Sequence, residues 1–165
     1  VSAMSGKRDM STNAPEGIEI VPATEADLPQ IKSLLQELMD AMTDTKDLDV
    51  ESAVENCRAL IRDRASHMLV ARDKGGAQGF VSFNTRRTIL PLRPSGLIDE
   101  LVVSGRNQGL GIGKNLLLAA VDKCRKLGCC EVEVSTEKSN TQARAFYRTC
   151  GFEEDAVLLE LDLKA

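Results

Sequence analysis

The hydrophobic residues recur with two different periods along the chain, and each period predicts one kind of element. From Thr24 to about Met42 they return every three or four positions, which is typical of an amphipathic helix with one buried face. Thr24 is a suitable N-cap, with Asp27 three positions later. The predicted buried face consists of Leu28, Ile31, Leu34, Leu35, Leu38 and Met42.

Short apolar runs bounded by glycine or proline predict the strands. His67–Asp73 and Gln78–Thr88 flank a Lys-Gly-Gly turn and should pair as an antiparallel hairpin. After two prolines and Gly96, the run Leu97–Val103 is predicted to be a well-buried strand. The other predicted elements are strands at Ile18–Val21, Glu131–Ser135 and Ala156–Leu163, and helices at about Val50–Arg64, Gly111–Leu127 and Thr141–Thr149.

The predicted elements follow one another in the order β-α-α-β-β-β-α-β-α-β. Hairpin pairing early in the chain and a helical crossover later indicate an α/β (α+β) fold, in which helices cover a mixed central sheet. Residues 1–16 are small, polar and without periodicity, so they are expected to be a flexible leader. Residues 17–165 are expected to be one domain, since 165 residues with 42% hydrophobic content can bury one continuous core.

The charge balance and the composition exclude several functions. A net charge of -4 argues against nucleic acid as a partner, because phosphate binding needs a clustered cationic face. No apolar run approaches the roughly 18 residues of a membrane span and no secretion signal is recognisable, so a cytoplasmic protein without membrane contact is expected. The five cysteines show no Cys-x-x-Cys spacing and have only His67 to accompany them, which favours reduced, mostly buried thiols and no metal site.

A glycine-rich turn, Gln108-Gly109-Leu110-Gly111-Ile112-Gly113, lies between the predicted strand Leu97–Val103 and the helix that follows. Such a turn presents free backbone N–H groups at the positive end of a helix, and this arrangement suits phosphate. Two other phosphate motifs do not fit. A Walker A loop would need glycine at position 108 and serine or threonine at 115, and a dinucleotide fingerprint would need glycine in place of Lys114.

The spacing Gln108-x-x-Gly111-x-Gly113 resembles the pyrophosphate loop of the GNAT (Gcn5-related N-acetyltransferase) family. A second stretch, from Asn140 to Phe152, is similar to the family signature Asn-x-x-Ala-x-x-Phe-Tyr-x-x-x-Gly-Phe at every fixed position. The resemblance implies the acyl-CoA N-acyltransferase fold. It also implies transfer of an acetyl group from acetyl-CoA to a primary amine of a small molecule or peptide, by direct attack in a ternary complex.

The resemblance further implies how acetyl-CoA is bound. The pantetheine arm would pair with the strand at Leu101–Val103, where a backbone N–H polarises the thioester carbonyl. The phosphates would lie on the glycine turn, and Asn140 would hydrogen-bond the cofactor or cap its own helix. The implied cofactor-binding residues are Leu101, Val102, Val103, Gln108, Gly109, Leu110, Gly111, Ile112, Gly113, Lys114, Asn140 and Tyr147.

For catalysis, the resemblance implies a general acid at Tyr147, the only tyrosine, which would protonate the departing CoA thiolate. The general base stays open. Asp99 occupies the strand position where several family members carry a glutamate, and a partly buried carboxylate there would have a raised pKa. The alternatives are its neighbour Glu100, expected on the opposite strand face, Glu133 on the next strand, and solvent.

Substrate and assembly are left open by the sequence. The acceptor could be cationic, drawn by the acidic residues between Asp40 and Glu51, or anionic, bound by Arg86, Arg87 and Arg93. The chain could also be a non-catalytic acyl-CoA-binding sensor or scaffold, or an acyltransferase with another acyl donor. A homodimer is possible because family members often dimerise.

Overall fold

The computed structural model describes residues 15–42, 48–87, 89–161 and 163. Residues 1–14 of the predicted leader lie outside the described residues, as do Asp44 and Asp47 of the acidic stretch. Two short 3-10 turns, Glu25–Asp27 and Gly105–Asn107, occur in the described chain. Its helices and strands are β1 (Glu19–Pro22), α1 (Leu28–Ala41), α2 (Val50–Arg62), β2 (Ser66–Asp73), β3 (Gly76–Arg86), β4 (Ser95–Val103), α3 (Ile112–Lys126), β5 (Glu131–Val134) and α4 (Thr141–Thr149).

The strands of the described chain form one sheet in the order β1-β2-β3-β4-β5. The first four are antiparallel neighbours, whereas β5 runs parallel to β4. A parallel pair needs a crossover connection, which α3 supplies. β2 and β3 are joined by the tight turn Lys74-Gly75, and Gly76, the first residue of β3, has a φ of 106°. The predicted mixed sheet with helices is therefore confirmed.

The helices cover both faces of the sheet, each over its own apolar cluster. On one face, α1 and α2 pack against strand residues that include Phe80 and Val102. On the other face, α3 packs against Val81 and Ile98, and α4 contributes Tyr147 to the edge of that cluster. Within the described ranges, no helix is both long and apolar enough to cross a membrane.

The start of α1 is fixed to the sheet by a buried carboxylate. Asp27 accepts hydrogen bonds from the backbone N–H of Thr24 at 2.8 Å and from the guanidinium of Arg72 on β2 at 2.7 Å. The predicted N-terminal pairing of Thr24 and Asp27 is therefore confirmed. The predicted buried face is wrong at the last turn, where Leu38 is 38% and Met42 is 46% exposed.

The prediction of a last strand at Ala156–Leu163 is wrong for the described residues of this segment. Residues 156–161 and 163 belong to no strand, and Val157, Leu159 and Leu161 are 82–89% exposed. The segment has the apolar pattern of a strand, but a strand also needs a neighbouring backbone to accept and donate its hydrogen bonds. No described residue of the same chain supplies that neighbour, so the observed order ends with α4.

Candidate active site

A bulge in β4 brings two of the predicted carboxylates to the same face of the sheet. The residues of β3 from Gly79 to Arg86 pair one by one with β4, but next to the pair Ser82–Glu100 the strand β4 carries one extra residue, Asp99. Asn84 Nδ2 donates to Asp99 Oδ2 at 2.9 Å, and the hydroxyl of Ser82 donates to Glu100. Ser82 and Asn84 are two positions apart and point to one face. The expectation that Glu100 lies opposite Asp99 is therefore wrong, because the bulge interrupts the alternation of side chains.

The third predicted carboxylate, Glu133, lies on the same face. It pairs in register with Leu97 of β4, which in turn pairs with Asn84 of β3, so the three residues form one row across the sheet. Arg86, two positions after Asn84, forms an ion pair with Glu133. The structure thus brings Asp99, Glu100 and Glu133 together around one patch, which we call the carboxylate patch.

The carboxylate patch lies on the face covered by α1 and α2. Phe80, two positions before Ser82, packs in the cluster under these helices. The pKa of the Cys57 thiol on α2 is raised mainly by burial and to a smaller extent by the negative charge of Glu100. Because Glu100 affects this thiol, α2 lies close to the patch. Asp99 and Glu100 are exposed and Glu133 is half-buried, so the expected partial burial of Asp99 is not observed.

Of the three carboxylates, Glu133 is the one that forms an ion pair with a described residue, Arg86, so the described part of the carboxylate patch has an excess of negative charge. Arg86 is held by Glu133 and is not directed to a separate anion site. Sequence reasoning missed Ser82 and Asn84 as partners of the carboxylates. Their signal is visible in the sequence, because the residues at alternate positions Ser82, Asn84 and Arg86 are polar, whereas Phe80, Val81 and Phe83 beside them are apolar.

The edge of β4 becomes free directly after the bulge. β5 pairs with β4 only along Ser95–Ile98, so the edge of β4 on that side, from Asp99 to Val103, has no strand partner in the described chain. The side-chain amide of Gln108 donates to the carbonyl of Val103 at 3.4 Å. An open strand edge offers backbone N–H and C=O groups to an extended ligand, which could pair there as an additional strand.

The glycine turn follows the end of β4 and leads into α3. Gly109 and Gly111 have φ values of 77° and 83°, in the left-handed region that favours glycine. The N–H of Asn115 donates to the carbonyl of Gly111 at 3.0 Å, which begins the helical hydrogen bonding. The N–H groups of Ile112, Gly113 and Lys114 come before this bond, at the positive end of a 15-residue helix. The backbone of the turn therefore presents N–H groups to which an anion could bind, and anion binding there stays a prediction.

Two polar side chains hold the segment between β4 and the glycine turn. Glu37 of α1 accepts a hydrogen bond from the backbone N–H of Gly105 at 2.9 Å. Gln78 of β3 is 4% exposed, and its Oε1 accepts a hydrogen bond from Asn107 Nδ2 at 2.7 Å. The Nε2 of Gln78 donates to Asp73 Oδ1 at 2.9 Å. Gln78 therefore connects the β2–β3 hairpin to the approach of the glycine turn, a role that its position within a strand did not indicate.

The signature helix α4 carries the two remaining predicted residues. Asn140 caps it, because its Oδ1 accepts a hydrogen bond from the N–H of Ala143 at 3.0 Å. Tyr147 is half-buried and packs edge-on against Phe146 and Phe152, with ring centroids 5.3 and 5.8 Å away. The pKa of Tyr147 is raised above its ordinary value, mainly by burial and to a smaller extent by the neighbouring Cys150 thiol. The phenol is therefore protonated at neutral pH and can donate a proton.

Tyr147 and the carboxylate patch lie on opposite faces of the sheet. Tyr147 belongs to the cluster under α3 that includes Leu101 and Val103 of β4, while Asp99 and Glu100 point toward α1 and α2. Asp99 and Glu100 lie on the part of β4 that β5 does not cover, and the cluster to which Tyr147 belongs includes Leu101 and Val103 of the same part. A ligand lying along this free edge would have a proton donor on one side and carboxylates on the other.

The remaining reactive side chains lie outside this arrangement. His67 stacks on Phe83 with ring centroids 5.1 Å apart, and burial lowers its pKa. Cys150 is buried at the end of α4, and burial raises its pKa, so it remains a thiol and fits the predicted packing role. Among the described residues, no group of three or more histidine, cysteine, aspartate or glutamate side chains could hold a metal ion.

Known proteins are similar to this chain in sequence and in fold. The sequence is 27% identical to the aminoalkylphosphonate N-acetyltransferase of Salmonella typhimurium over 136 residues, which cover 82% of this chain and 85% of the relative. The structure superposes with a TM-score of 0.72 on an aminoglycoside acetyltransferase from an uncultured soil sample, which was solved in complex with trehalose. The two sequences are 26% identical, and the match covers 90% of this chain and 97% of that one. An aminoglycoside N-acetyltransferase solved in complex with CoA superposes with a TM-score of 0.76 at 18% identity, over 89% of this chain and 95% of that one.

The family assignment follows from a match over most of the chain. The sequence profile described as the Acetyltransferase (GNAT) family matches residues 30–152, a range that runs from α1 past the signature helix and contains the glycine turn, the free edge of β4 and Tyr147. The chain therefore belongs to the GNAT family of acetyltransferases.

Proposed function

We propose that this protein transfers the acetyl group of acetyl-CoA to a primary amine of a small molecule or peptide, by direct attack in a ternary complex. The observation that carries the proposal is the free edge of β4 from Asp99 to Val103. It leads to an anion-binding glycine turn at one end and has a protonated phenol and a carboxylate patch on its two sides. Each part meets one requirement of the reaction.

The free edge and the glycine turn suit the two ends of acetyl-CoA. The pantetheine arm is an extended chain with amide groups, so it can pair with the backbone of Leu101–Val103 as a strand would. The pyrophosphate can then accept hydrogen bonds from the N–H groups at the start of α3. A backbone N–H of β4 directed at the thioester oxygen would stabilise the negative charge that develops when the amine attacks.

Tyr147 is proposed as the general acid. The amine attacks the thioester carbon, and the tetrahedral intermediate collapses by breaking the carbon–sulfur bond. The departing thiolate takes a proton from the phenol of Tyr147, so CoA leaves as a thiol. The half-buried, apolar surroundings of the ring keep the phenol protonated until the thiolate forms.

Asp99 is proposed as the general base that receives the amine proton. Glu133 forms an ion pair with Arg86, and Glu100 accepts a hydrogen bond from Ser82 and lies close to Cys57 of α2. Asp99 is the bulged residue, is exposed, and accepts its hydrogen bond from the neutral amide of Asn84. Glu100 and Glu133 remain the alternatives, and each can pass a proton to water.

The excess of carboxylates favours a cationic acceptor. An amine that carries a second positive charge would gain from the carboxylate patch, whereas an anionic acceptor would be repelled. Arg86, which could have bound an acceptor anion, is held by Glu133. The names aminoglycoside acetyltransferase and aminoalkylphosphonate N-acetyltransferase both denote an amino compound as acceptor, which supports a primary amine. The phosphonate of the second is an anion, so support for a cationic acceptor comes from the carboxylate patch.

The first prediction is that the purified protein binds acetyl-CoA with micromolar affinity and releases CoA thiol when a polyamine, aminoglycoside or basic peptide is added. Calorimetry measures the binding, and a thiol assay measures the turnover with each amine and with longer acyl-CoA donors. Binding without turnover across the amines would favour the acyl-CoA sensor or scaffold. Faster turnover with a longer acyl donor would favour the other acyltransferase, and absence of binding would contradict the proposal.

The second prediction concerns the general acid. Tyr147→Phe should lower kcat by ~10²–10⁴-fold, because the phenol proton is lost while the ring packing stays. Affinity for CoA should change little. In the unaltered protein, activity should fall at alkaline pH as the phenol loses its proton above its raised pKa, and this limb should disappear in the variant. Full activity of Tyr147→Phe would remove the assignment.

The third prediction concerns the general base. Asp99→Asn should lower kcat/KM by ~10²-fold or more, because the amide cannot accept the amine proton. Glu100→Gln is the matched control, because it changes the adjacent carboxylate on the same face. A larger loss in Glu100→Gln would transfer the role to Glu100, and near-normal activity of both would indicate that solvent accepts the proton.

The fourth prediction concerns the connection between Gln78 and the glycine turn. Gln78→Leu leaves Asn107 without its acceptor and should raise the Kd for CoA by roughly 10-fold, since a buried hydrogen bond is worth about 1 kcal/mol or more. The kcat at saturating acetyl-CoA should change less than the Kd. Gln36→Leu on the exposed side of α1 is the control and should leave the Kd unchanged. An unchanged Kd in Gln78→Leu would exclude this positioning role.

A further inference from the structure

Two cysteines, Cys124 and Cys129, are brought together where α3 ends. After the last helical residue, Lys126, the chain reverses at Gly128, which has a φ of 81°. The N–H of Gly128 donates to the carbonyl of Arg125 at 3.0 Å, and the N–H of Cys129 donates to the carbonyl of Cys124, also at 3.0 Å. This glycine cap commonly places the side chains of the second pair in contact. The backbone therefore holds the two cysteines close together.

Both side chains belong to the apolar cluster under α3. Cys124 is fully buried in this cluster, and Cys129 packs against it and is half-buried. The sulfur of Cys124 also lies against β4, since a Cβ atom added to Gly96 would be 2.5 Å from it. The sulfur of Cys124 is thus confined between the backbone of β4 and the side chain of Cys129.

The two thiols differ in their access to solvent. The pKa of Cys124 is raised to about 12, mainly by burial and to a smaller extent by the neighbouring Cys129 thiol. A buried thiol of this kind is inert toward reagents in solution. Cys129 is partly accessible, so it is the member of the pair that a small oxidant can reach.

Cys130, the other neighbour of Cys129, is directed elsewhere. Its N–H donates to the carbonyl of Pro94 at 2.9 Å, and its thiol donates to the carbonyls of Pro94 and Arg93 at 3.5 and 3.6 Å. These carbonyls precede β4, whereas Cys129 faces the cluster under α3. Cys124 is therefore better placed than Cys130 to react with Cys129.

We propose that Cys124 and Cys129 are a reversible oxidation site, which forms an intramolecular disulfide when the protein is exposed to a peroxide. Hydrogen peroxide first oxidises the sulfur of Cys129 to a sulfenic acid: a sulfur–oxygen bond forms, the oxygen–oxygen bond breaks and one water leaves. The sulfur of Cys124 then attacks that of Cys129. The sulfur–oxygen bond breaks, and the hydroxide leaves with the proton of Cys124 as a second water.

The electrons of the reaction balance, because each sulfur loses one and the peroxide accepts both. A dithiol reductant returns both thiols. The disulfide would join the end of α3 to the residue two positions before β5, which begins at Glu131. It would therefore fasten the connection that places β5 beside β4.

Mass spectrometry of the whole protein tests the proposal after treatment with hydrogen peroxide and blocking of the free thiols. The unaltered protein should lose two of its five free thiols and should regain them with dithiothreitol. Before blocking, its mass should fall by about 2 Da, the mass of two hydrogens lost on disulfide formation. Trypsin cleaves after Arg125 and Lys126, so Cys124 and Cys129 fall in separate peptides that a disulfide keeps together.

Single substitutions distinguish the roles of the cysteines. Cys129→Ser should abolish the linked peptides and the loss of two thiols. Cys124→Ser should leave a sulfenic acid at Cys129 that dimedone traps, since its partner is missing. Cys130→Ser is the matched control, because it changes the adjacent half-buried thiol and should form the disulfide as the unaltered protein does.

The proposal is overturned if peroxide leaves Cys124 and Cys129 in separate peptides of the unaltered protein. It is also overturned if Cys129 becomes linked to Cys130, or if Cys130→Ser prevents the bond. Cys129→Ser changes a half-buried side chain, so it keeps the test decisive if Cys124→Ser does not fold. All readouts are masses and thiol counts, so they are independent of acetyl transfer.

Discussion

The candidate site depends on the early end of pairing between β4 and β5. The two strands share only Ser95–Ile98 and Glu131–Val134, after which the bulge at Asp99 changes the course of β4. The backbone from Asp99 to Val103 has no strand partner on this side within the described chain, although the carbonyl of Val103 accepts a hydrogen bond from the side chain of Gln108. An unpaired edge is costly unless something pairs with it, and here an extended ligand with amide groups can do so.

The bulge has a second effect, because it determines which side chains share a face. Without the extra residue, Asp99 and Glu100 would point in opposite directions, and one of them would enter the apolar cluster under α3. With the bulge, both lie beside Ser82 and Asn84, where donors stabilise them. Tyr147 stays in the apolar cluster on the other face, where burial keeps its proton in place. The sheet thus separates the proton donor from the carboxylates.

Much of the fold could be predicted from the sequence, because helix and strand periods are local properties. The signature helix Thr141–Thr149 was predicted with its observed ends, and the other helices and strands within a few residues. The glycine turn could also be predicted, because glycine is the residue that adopts a positive φ, as at Gly109 and Gly111, at the lowest cost. These features need only neighbours along the chain.

The features that only the tertiary structure decided depend on contacts between residues that are far apart in the sequence. The sequence by itself determined the family, the order of elements through α4, and the residue types at the glycine turn and in the signature helix. It did not determine the face of Glu100, which depends on a register shift against β3, or the role of Gln78, which depends on Asn107. It also predicted a strand at Ala156–Leu163 from its apolar pattern alone. A strand forms only where another backbone completes its hydrogen bonds, and periodicity along one segment contains no information about that second backbone.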